Sequence, residues 1–298
     1  MLSTLKSDFR KILTVRSTYI LVVIALFLTT FFTYLGTSAV SYQEQVSGKV
    51  TEQKLPDGTT ESRPDPNDPP VYVTKTERNL SKEKLISNLQ EGVPVVTLFT
   101  TVVVVLFMAH EFRYNTIAYT LIAGRRRYVV LLSKLAVSAT FITVVTLLAI
   151  GFTTAATFAA IGIKDLTLPA QDFNWLYIGA RLLGYSLGFG LLGLAIITLV
   201  RNLTAGVAAI FVLPTLDAIA GALLSSRNIE ATRVLPFSAL DRISGLTRDF
   251  TPQNMPTDGI TDVQRLPATV LGASFVFLLY LVALWLITWV SFLRRDAN

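Results

Sequence analysis

Residues 136–163 read AVSATFITVVTLLAIGFTTAATFAAIGI, a run of 28 residues without one charged side chain. A hydrocarbon core about 30 Å thick is crossed by roughly 20 apolar helical residues. The run is therefore long enough to span a bilayer and to tilt or extend beyond it. We interpret it as a transmembrane helix.

Five further segments have the same apolar character. They are approximately Tyr19–Leu35, Val93–Ala109, Trp175–Val200, Leu203–Leu224 and Thr269–Phe292. Only Arg201 and Asn202 separate the fourth span from the fifth, which predicts a tight hairpin. The composition agrees, since 52% of the residues are hydrophobic and 15% are charged, against about a quarter charged in soluble domains. The sequence predicts an all-α polytopic membrane protein with about six transmembrane helices, forming one transmembrane domain over residues 1–298.

The distribution of Lys and Arg orients these spans. The termini and loops on one side carry twelve cations, namely Lys6, Arg10, Lys11, Arg16, Arg113, Arg125, Arg126, Arg127, Lys134, Arg201, Arg294 and Arg295. Only three acids accompany them: Asp8, Glu111 and Asp296. The other side has fourteen cations but sixteen acids, and Asp217 lies within a span. Because short cytoplasmic loops are rich in Lys and Arg, we expect both termini in the cytoplasm.

The segment 1–16 predicts an amphipathic helix in the cytoplasmic interface. Its apolar positions fall on one helical face, with Lys6, Asp8, Arg10 and Lys11 elsewhere. The apolar positions are Leu2, Leu5, Phe9, Ile12 and Leu13. Thr37-Ser38-Ala39 resembles a signal-peptide cleavage site, but the apolar stretch before it is long for a signal peptide. We therefore expect the first span to be retained.

Two long connections are expected on the outside. Residues 37–91 contain the Pro-rich polar run 63–70, so we expect this loop to be partly disordered. A short interfacial helix is predicted after Ser81 and through Gln90. The loop 225–268 keeps apolar residues among polar ones over 234–243, which predicts a short re-entrant or interfacial helix.

The residue inventory excludes several kinds of chemistry. The chain has no cysteine and a single histidine, His110, so disulfides, thiolate sites and multi-histidine metal sites are not expected. The spans offer no Ser-His pair and no paired carboxylates. We expect neither an enzyme nor a bound cofactor or metal. The net charge of +6 is concentrated on one side of the spans, so it does not indicate nucleic acid as a partner.

The link between the second and third spans is unusually elaborate. Glu111 stands at the membrane exit, an amphipathic stretch and Gly124 follow, and then come Arg125, Arg126 and Arg127. Such a segment can dock on a cytoplasmic partner or bind anionic headgroups. From composition alone, the arginines could equally be a topological anchor.

This link resembles that of membrane subunits of ABC transporters of the ABC-2 class. In that family an acid ends the second span, and a Gly-Thr pair, a leucine-rich turn and a Pro-x-x-Arg-like break follow before a lysine enters the third span. The matching residues here are Glu111, Thr116, Leu121, Arg127 and Lys134. Asn115 replaces the usual glycine, and Gly124 stands where proline is common. The resemblance also covers the N-terminal helix, the order of six spans and Leu235-Pro236-Phe237.

The resemblance implies a permease subunit of an ATP-driven exporter. Two such subunits would pair as a homodimer or heterodimer, and each would present a coupling helix over 111–128 to a cytoplasmic ATPase subunit. The chain carries no Gly-x-x-x-x-Gly-Lys-Ser/Thr phosphate loop, so ATP hydrolysis is expected in a separate polypeptide. The resemblance implies coupling roles for Glu111, Thr116, Leu121, Arg125, Arg126, Arg127 and Lys134. We expect a multi-pass protein of the bacterial inner membrane, with which the absence of cysteine is compatible.

A second set of residues lies inside the spans. Asp217 follows Pro214 in the fifth span, and Arg181 lies at similar depth in the fourth. An intramembrane charge should face protein or water, so Asp217 is either a pathway residue, a partner of Arg181, or a hydrated residue near the outer surface. Gly184 and Gly188 favour close helix packing.

Other classes of membrane protein stay open. An autonomous transporter or channel would place several polar groups or broken helices at the midplane, and only Asp217 and Pro214 hint at that. A structural or sensory protein that uses loop 37–91 is a further alternative. The transported substrate cannot be read from the sequence.

Overall fold

The computed structural model describes residues 2–38, 41–47, 50–54, 60–64, 71–76, 82–114, 116, 127–164, 174–226, 235–245 and 270–294. Eight helices and four short strands form this part of the chain. They are α1 (Leu2–Thr14), α2 (Arg16–Ser38), α3 (Lys82–Arg113), α4 (Arg127–Lys164), α5 (Trp175–Val200), α6 (Leu203–Ser226), α7 (Pro236–Ser244) and α8 (Val270–Arg294).

Six of these helices are long and apolar enough to cross a membrane: α2, α3 from Gly92 onward, α4, α5, α6 through Leu224, and α8. In lipid every backbone polar group must be satisfied within the protein, and a helix does so along its whole length. The predicted all-α polytopic fold with six spans is confirmed.

Two spans form the centre of the bundle. In its most apolar window α3 is 67% buried and α5 is 61% buried, whereas α6 and α8 are each 11% buried. Hydroxyl groups join the central helices to their neighbours. Thr97 and Ser186 share a 2.7 Å hydrogen bond between α3 and α5, and Thr29 of α2 donates to the carbonyl of Gly92 at 3.2 Å. Each such bond contributes on average about 0.6 kcal/mol in a membrane, so packing supplies the rest of the cohesion.

Some helices are longer than the sequence predicted. α3 runs without a break from Lys82, so the short interfacial helix expected before Gln90 is the first part of the second span's helix. Pro94 lies inside this helix, where its missing N–H removes one backbone hydrogen bond. α4 begins at Arg127 rather than Ala136. The Lys134 side chain is therefore held on a regular helix.

The turn between α5 and α6 is as tight as the sequence predicted. Arg201 adopts left-handed backbone geometry with φ 54°, and its N–H donates to the carbonyl of Ile197 at 2.9 Å. Asn202 then accepts a hydrogen bond from the N–H of Ala205 at 3.2 Å, which caps the start of α6. Two residues therefore reverse the chain direction.

The long connection 37–91 contains four strands that the sequence analysis did not predict. β1 (Ser41–Ser47) pairs antiparallel with β4 (Val71–Thr76), and β2 (Val50–Lys54) pairs antiparallel with β3 (Thr60–Pro64). The Val, Tyr and Thr residues of β4 favour an extended backbone. The loop as a whole is rich in polar residues and Pro, and this composition predicted disorder instead of strands. Residues 65–70 of the Pro-rich run lie outside the described residues.

The helices define two ends of the bundle. At the first, which we call the basic end, α1, the last turn of α3, the first turns of α4, the α5–α6 turn and the last turn of α8 lie together. The guanidinium of Arg201 lies 5.5 Å from the ring centre of Phe112, and Arg127 donates to the carbonyl of Leu293 at 2.9 Å. The predicted cytoplasmic segments that the structure describes thus meet at one end. α7 lies at the other end, which we call the α7 end.

Candidate functional site

The helix α1 has a buried face that includes an acid. Asp8 and Ile12 are buried on this face, whereas Lys6 and Arg10 are exposed. Asp8 was expected among the polar positions of this helix, but it is buried against the protein, whereas Leu13 of the predicted apolar face is 47% exposed. Asp8 lies beside Ile12, at the border between the apolar face and the polar positions, because residues four apart share a face.

Asp8 belongs to a buried ionic cluster, which we define as Asp8, Lys11, Glu111, Ser133 and Lys134. The Nζ atom of Lys134 donates to Oδ1 of Asp8 at 2.7 Å and to Oε1 of Glu111. Ser133 donates to the second carboxylate oxygen of Asp8 at 2.9 Å. Lys11 donates to Oε1 of Glu111 at 2.9 Å. Three helices, α1, α3 and α4, are therefore joined through one lysine.

The charges of the cluster balance, with two carboxylates facing two ammonium groups. The side chains of Asp8, Glu111 and Lys134 are at most 6% exposed, whereas that of Lys11 is 42% exposed. Lys134 also lies 4.6 Å from the ring centre of Phe107, a favourable cation–π distance. Buried charges are tolerated only when paired and hydrogen-bonded. Removal of either lysine would leave the two carboxylates with one cation.

The structure brings together two of the seven residues predicted to act in coupling, Glu111 and Lys134. Thr116 lies nearby and donates to the carbonyl of Glu111 at 3.4 Å. Arg127 begins α4 and contacts the end of α8 instead. Leu121, Arg125 and Arg126 lie outside the described residues. The predicted coupling helix is described only at its two ends, 111–114 with 116, and 127–128.

Sequence reasoning missed Asp8 and Lys11 as members of this cluster. The sequence contained one signal, because Asp8 borders the apolar face of an amphipathic helix, and an acid that is buried there requires a cation as its partner. The structure shows that this cation is Lys134, the eighth residue of α4.

At the α7 end, Asp217 caps α7 from a neighbouring helix. Its carboxylate accepts hydrogen bonds from the N–H of Phe237 at 3.4 Å, from the N–H of Ser238 at 3.0 Å and from the Ser238 hydroxyl at 2.9 Å. Leu235, the residue at the cap position, supplies no side-chain hydrogen bond. A negative charge at a helix N-terminus is favourable because the free N–H groups carry partial positive charge.

Arg181 binds the opposite end of the same short helix. Its guanidinium donates to the carbonyl of Ile243 at 2.7 Å and to that of Arg242 at 3.0 Å. Gly245 ends α7 with φ 89°, and a Cβ there would lie 2.5 Å from the Gln90 amide nitrogen and 2.8 Å from Arg181. Asp217 and Arg181, considered from the sequence as partners of one another, each hold a different end of α7.

Gly188 and Gly184 face the same helix at different distances. A Cβ at Gly188 would lie 2.6 Å from the Phe277 ring and 3.0 Å from Leu240. A Cβ at Gly184 would lie 3.7 Å from Ile243, which is an ordinary contact. An alanine at Gly188 would therefore force the Phe277 ring or the Gly188 backbone to shift, whereas an alanine fits at Gly184.

Within the described ranges, no group of three or more His, Cys, Asp or Glu side chains is placed to hold a metal ion. No family model, curated protein or solved structure matched this chain. The fold by itself defines the class of the protein, a multi-pass α-helical membrane protein with six spans.

Proposed function

We propose that this chain is the membrane-spanning permease subunit of an ABC-2-type ATP-driven exporter. It would pair with a second permease subunit in a bacterial inner membrane and would work with a separate cytoplasmic ATPase subunit. The resemblance of the link 110–128 to that family supports this proposal, and so does the arrangement of the helices around that link.

The observation that carries the proposal is the buried ionic cluster at the basic end. A coupling segment must transmit a displacement of the partner subunit to the transmembrane helices. It therefore needs stable contacts with more than one helix. Glu111 stands at the end of α3 where the chain enters 115–126, and Lys134 and Lys11 tie it to α4 and α1. A displacement of the segment would therefore move three helices together.

The arrangement of Asp217 and Arg181 favours this class over an autonomous transporter. Such a transporter usually presents polar groups or broken helices at the midplane. Here the Asp217 carboxylate and the Arg181 guanidinium form hydrogen bonds with backbone groups of α7. The two charges thus have a structural role as helix caps.

The test begins with purification of the full chain from its native membranes, followed by identification of any phosphate-loop ATPase that accompanies it. The two proteins are then assembled in lipid nanodiscs, and ATP hydrolysis is measured. We expect the wild-type permease to change the hydrolysis rate of the ATPase. We expect Glu111→Gln to assemble with the ATPase but to lose most of that change.

Thr215→Ala is the matched control, because Thr215 is exposed on α6 and its hydroxyl bonds only within its own helix. It should behave as wild type. A chain that purifies without any such ATPase, or a Glu111→Gln variant that couples as well as wild type, would overturn the proposal.

A further inference from the structure

The exposed face of α1 is basic and borders an apolar edge. Lys6 and Arg10 are one helical turn apart and both are exposed. Leu13 is also exposed and lies next to Lys6 around the helix, because successive residues advance by about 100°. On the opposite side, Asp8 and Ile12 face the protein. α1 therefore has a protein-facing side, an apolar edge and a cationic side.

No described acid at the basic end neutralises this surface. Asp8 and Glu111 are buried, and both are engaged by Lys134 and Lys11. Within the described ranges, no salt bridge involves Lys6, Arg10 or Arg16. The internal pairing of both acids thus leaves the outer surface of α1 with positive charge alone.

The position of α1 along the chain sets the depth of these cations. Val15 separates α1 from α2, and the first span begins at Arg16. Exposed Leu13, Val15 and Tyr19 continue as an apolar surface into the span. Cations directly beside an apolar, lipid-facing surface lie at the level of headgroup phosphates.

From this arrangement we propose that the Lys6–Arg10 face of α1 binds anionic phospholipid headgroups, and that it prefers them to zwitterionic ones. Each cation near an anionic membrane surface is expected to enrich anionic over zwitterionic lipid beside it by about fivefold. Arg16 at the start of α2 adds to the positive electrostatic potential of this surface. The cluster contributes by holding α1 in one orientation, so the cations face the headgroups rather than the protein. This proposal is independent of the proposed transport function.

The absence of cysteine from the chain allows a direct test. Ser7 is exposed beside Lys6, so Ser7→Cys provides a single site for a fluorophore. The labelled full chain is placed in phosphatidylcholine nanodiscs with a small, equal fraction of spin-labelled phosphatidylglycerol or spin-labelled phosphatidylcholine. The spin label is placed near the top of the acyl chain. We expect phosphatidylglycerol to quench the fluorophore severalfold more strongly, with the difference reduced by high salt.

The double variant Lys6→Gln/Arg10→Gln should quench equally with the two lipids. Lys164→Gln removes an exposed cation at the other end of the bundle, and it should retain the preference. Equal quenching in the wild-type chain, or a preference that survives in the double variant, would overturn the proposal. Both substituted side chains are exposed, and circular dichroism checks that the helices are retained.

Discussion

Lys134 and Asp8 are 126 positions apart in the chain, and their charged atoms lie 2.7 Å apart in the structure. This ion pair fastens the N-terminal helix to the first turns of the third span. Because the same ammonium group also binds Glu111, one buried cation joins α1, α3 and α4 at the basic end of the bundle.

Replacement of Lys134 should be strongly destabilising. Lys134→Met would leave two buried carboxylates with one partly exposed lysine, and loss of one partner from a buried ion pair costs about 3–5 kcal/mol. Lys11→Met is the matched control, since the Lys11 side chain is 42% exposed and exposed pairs contribute about 0.2–1 kcal/mol. Thermal unfolding in detergent measures both. An equal loss of thermal stability in the two variants would show that the burial of Lys134 does not strengthen its contribution.

A second substitution should partly rescue the first. In Asp8→Asn/Lys134→Gln, one carboxylate and one ammonium are removed together, so Glu111 keeps Lys11 as its partner. We expect the double variant to be more stable than Lys134→Gln alone, with a coupling energy in the range of about 0.5–3 kcal/mol. Thermal unfolding of the wild type, the two single variants and the double variant measures this coupling energy. Additive losses would mean that the two residues do not interact.

The two caps of α7 should control its local opening. Asp217→Ala frees the N–H groups of Phe237 and Ser238, and Arg181→Met frees two carbonyls at the other end. Loss of an N-cap costs about 1 kcal/mol, so we expect hydrogen exchange over 236–244 to accelerate by about fivefold or more. Exchange over α4 should stay unchanged. Thr215→Ala on the same helix as Asp217 is the control, and faster exchange in that variant would contradict the capping account.

The two glycines that face α7 should respond differently to alanine. Gly188→Ala places a methyl group against Phe277 and Leu240, and such overpacking costs about 1–3 kcal/mol. Gly184→Ala makes only an ordinary contact with Ile243, so it should be nearly neutral. Thermal unfolding separates the two variants. A neutral Gly188→Ala would mean that the Phe277 ring moves aside without cost.

The spans could be predicted from the sequence because membrane insertion depends on local composition. Six apolar runs and the two-residue turn at Arg201 required no knowledge of tertiary contacts. The short helix α7 lies within the stretch where apolar residues among polar ones predicted it.

The contacts between distant residues could not be read in this way. Asp8 looked like one more polar position of an amphipathic helix, and its burial depends on where Lys134 lies after folding. Asp217 and Arg181 were considered as partners of one another at similar depth. In the structure each of them instead binds backbone groups at a different end of α7. Hydrogen bonds to the backbone leave no pattern in side-chain composition, which is why the capping roles were missed.

The proposed permease function requires that the segment after Glu111 contacts an ATPase. Tyr114 is 63% exposed at the basic end, and the chain contains no cysteine, so Tyr114→Cys can carry a photoactivated cross-linker in native membranes. Lys164→Cys, at the opposite end of α4, is the matched control. We expect Tyr114→Cys, and not Lys164→Cys, to cross-link to a polypeptide with a Gly-x-x-x-x-Gly-Lys-Ser/Thr loop. Failure of Tyr114→Cys to capture such an ATPase, in membranes where the chain is folded and expressed at its native level, would contradict the account.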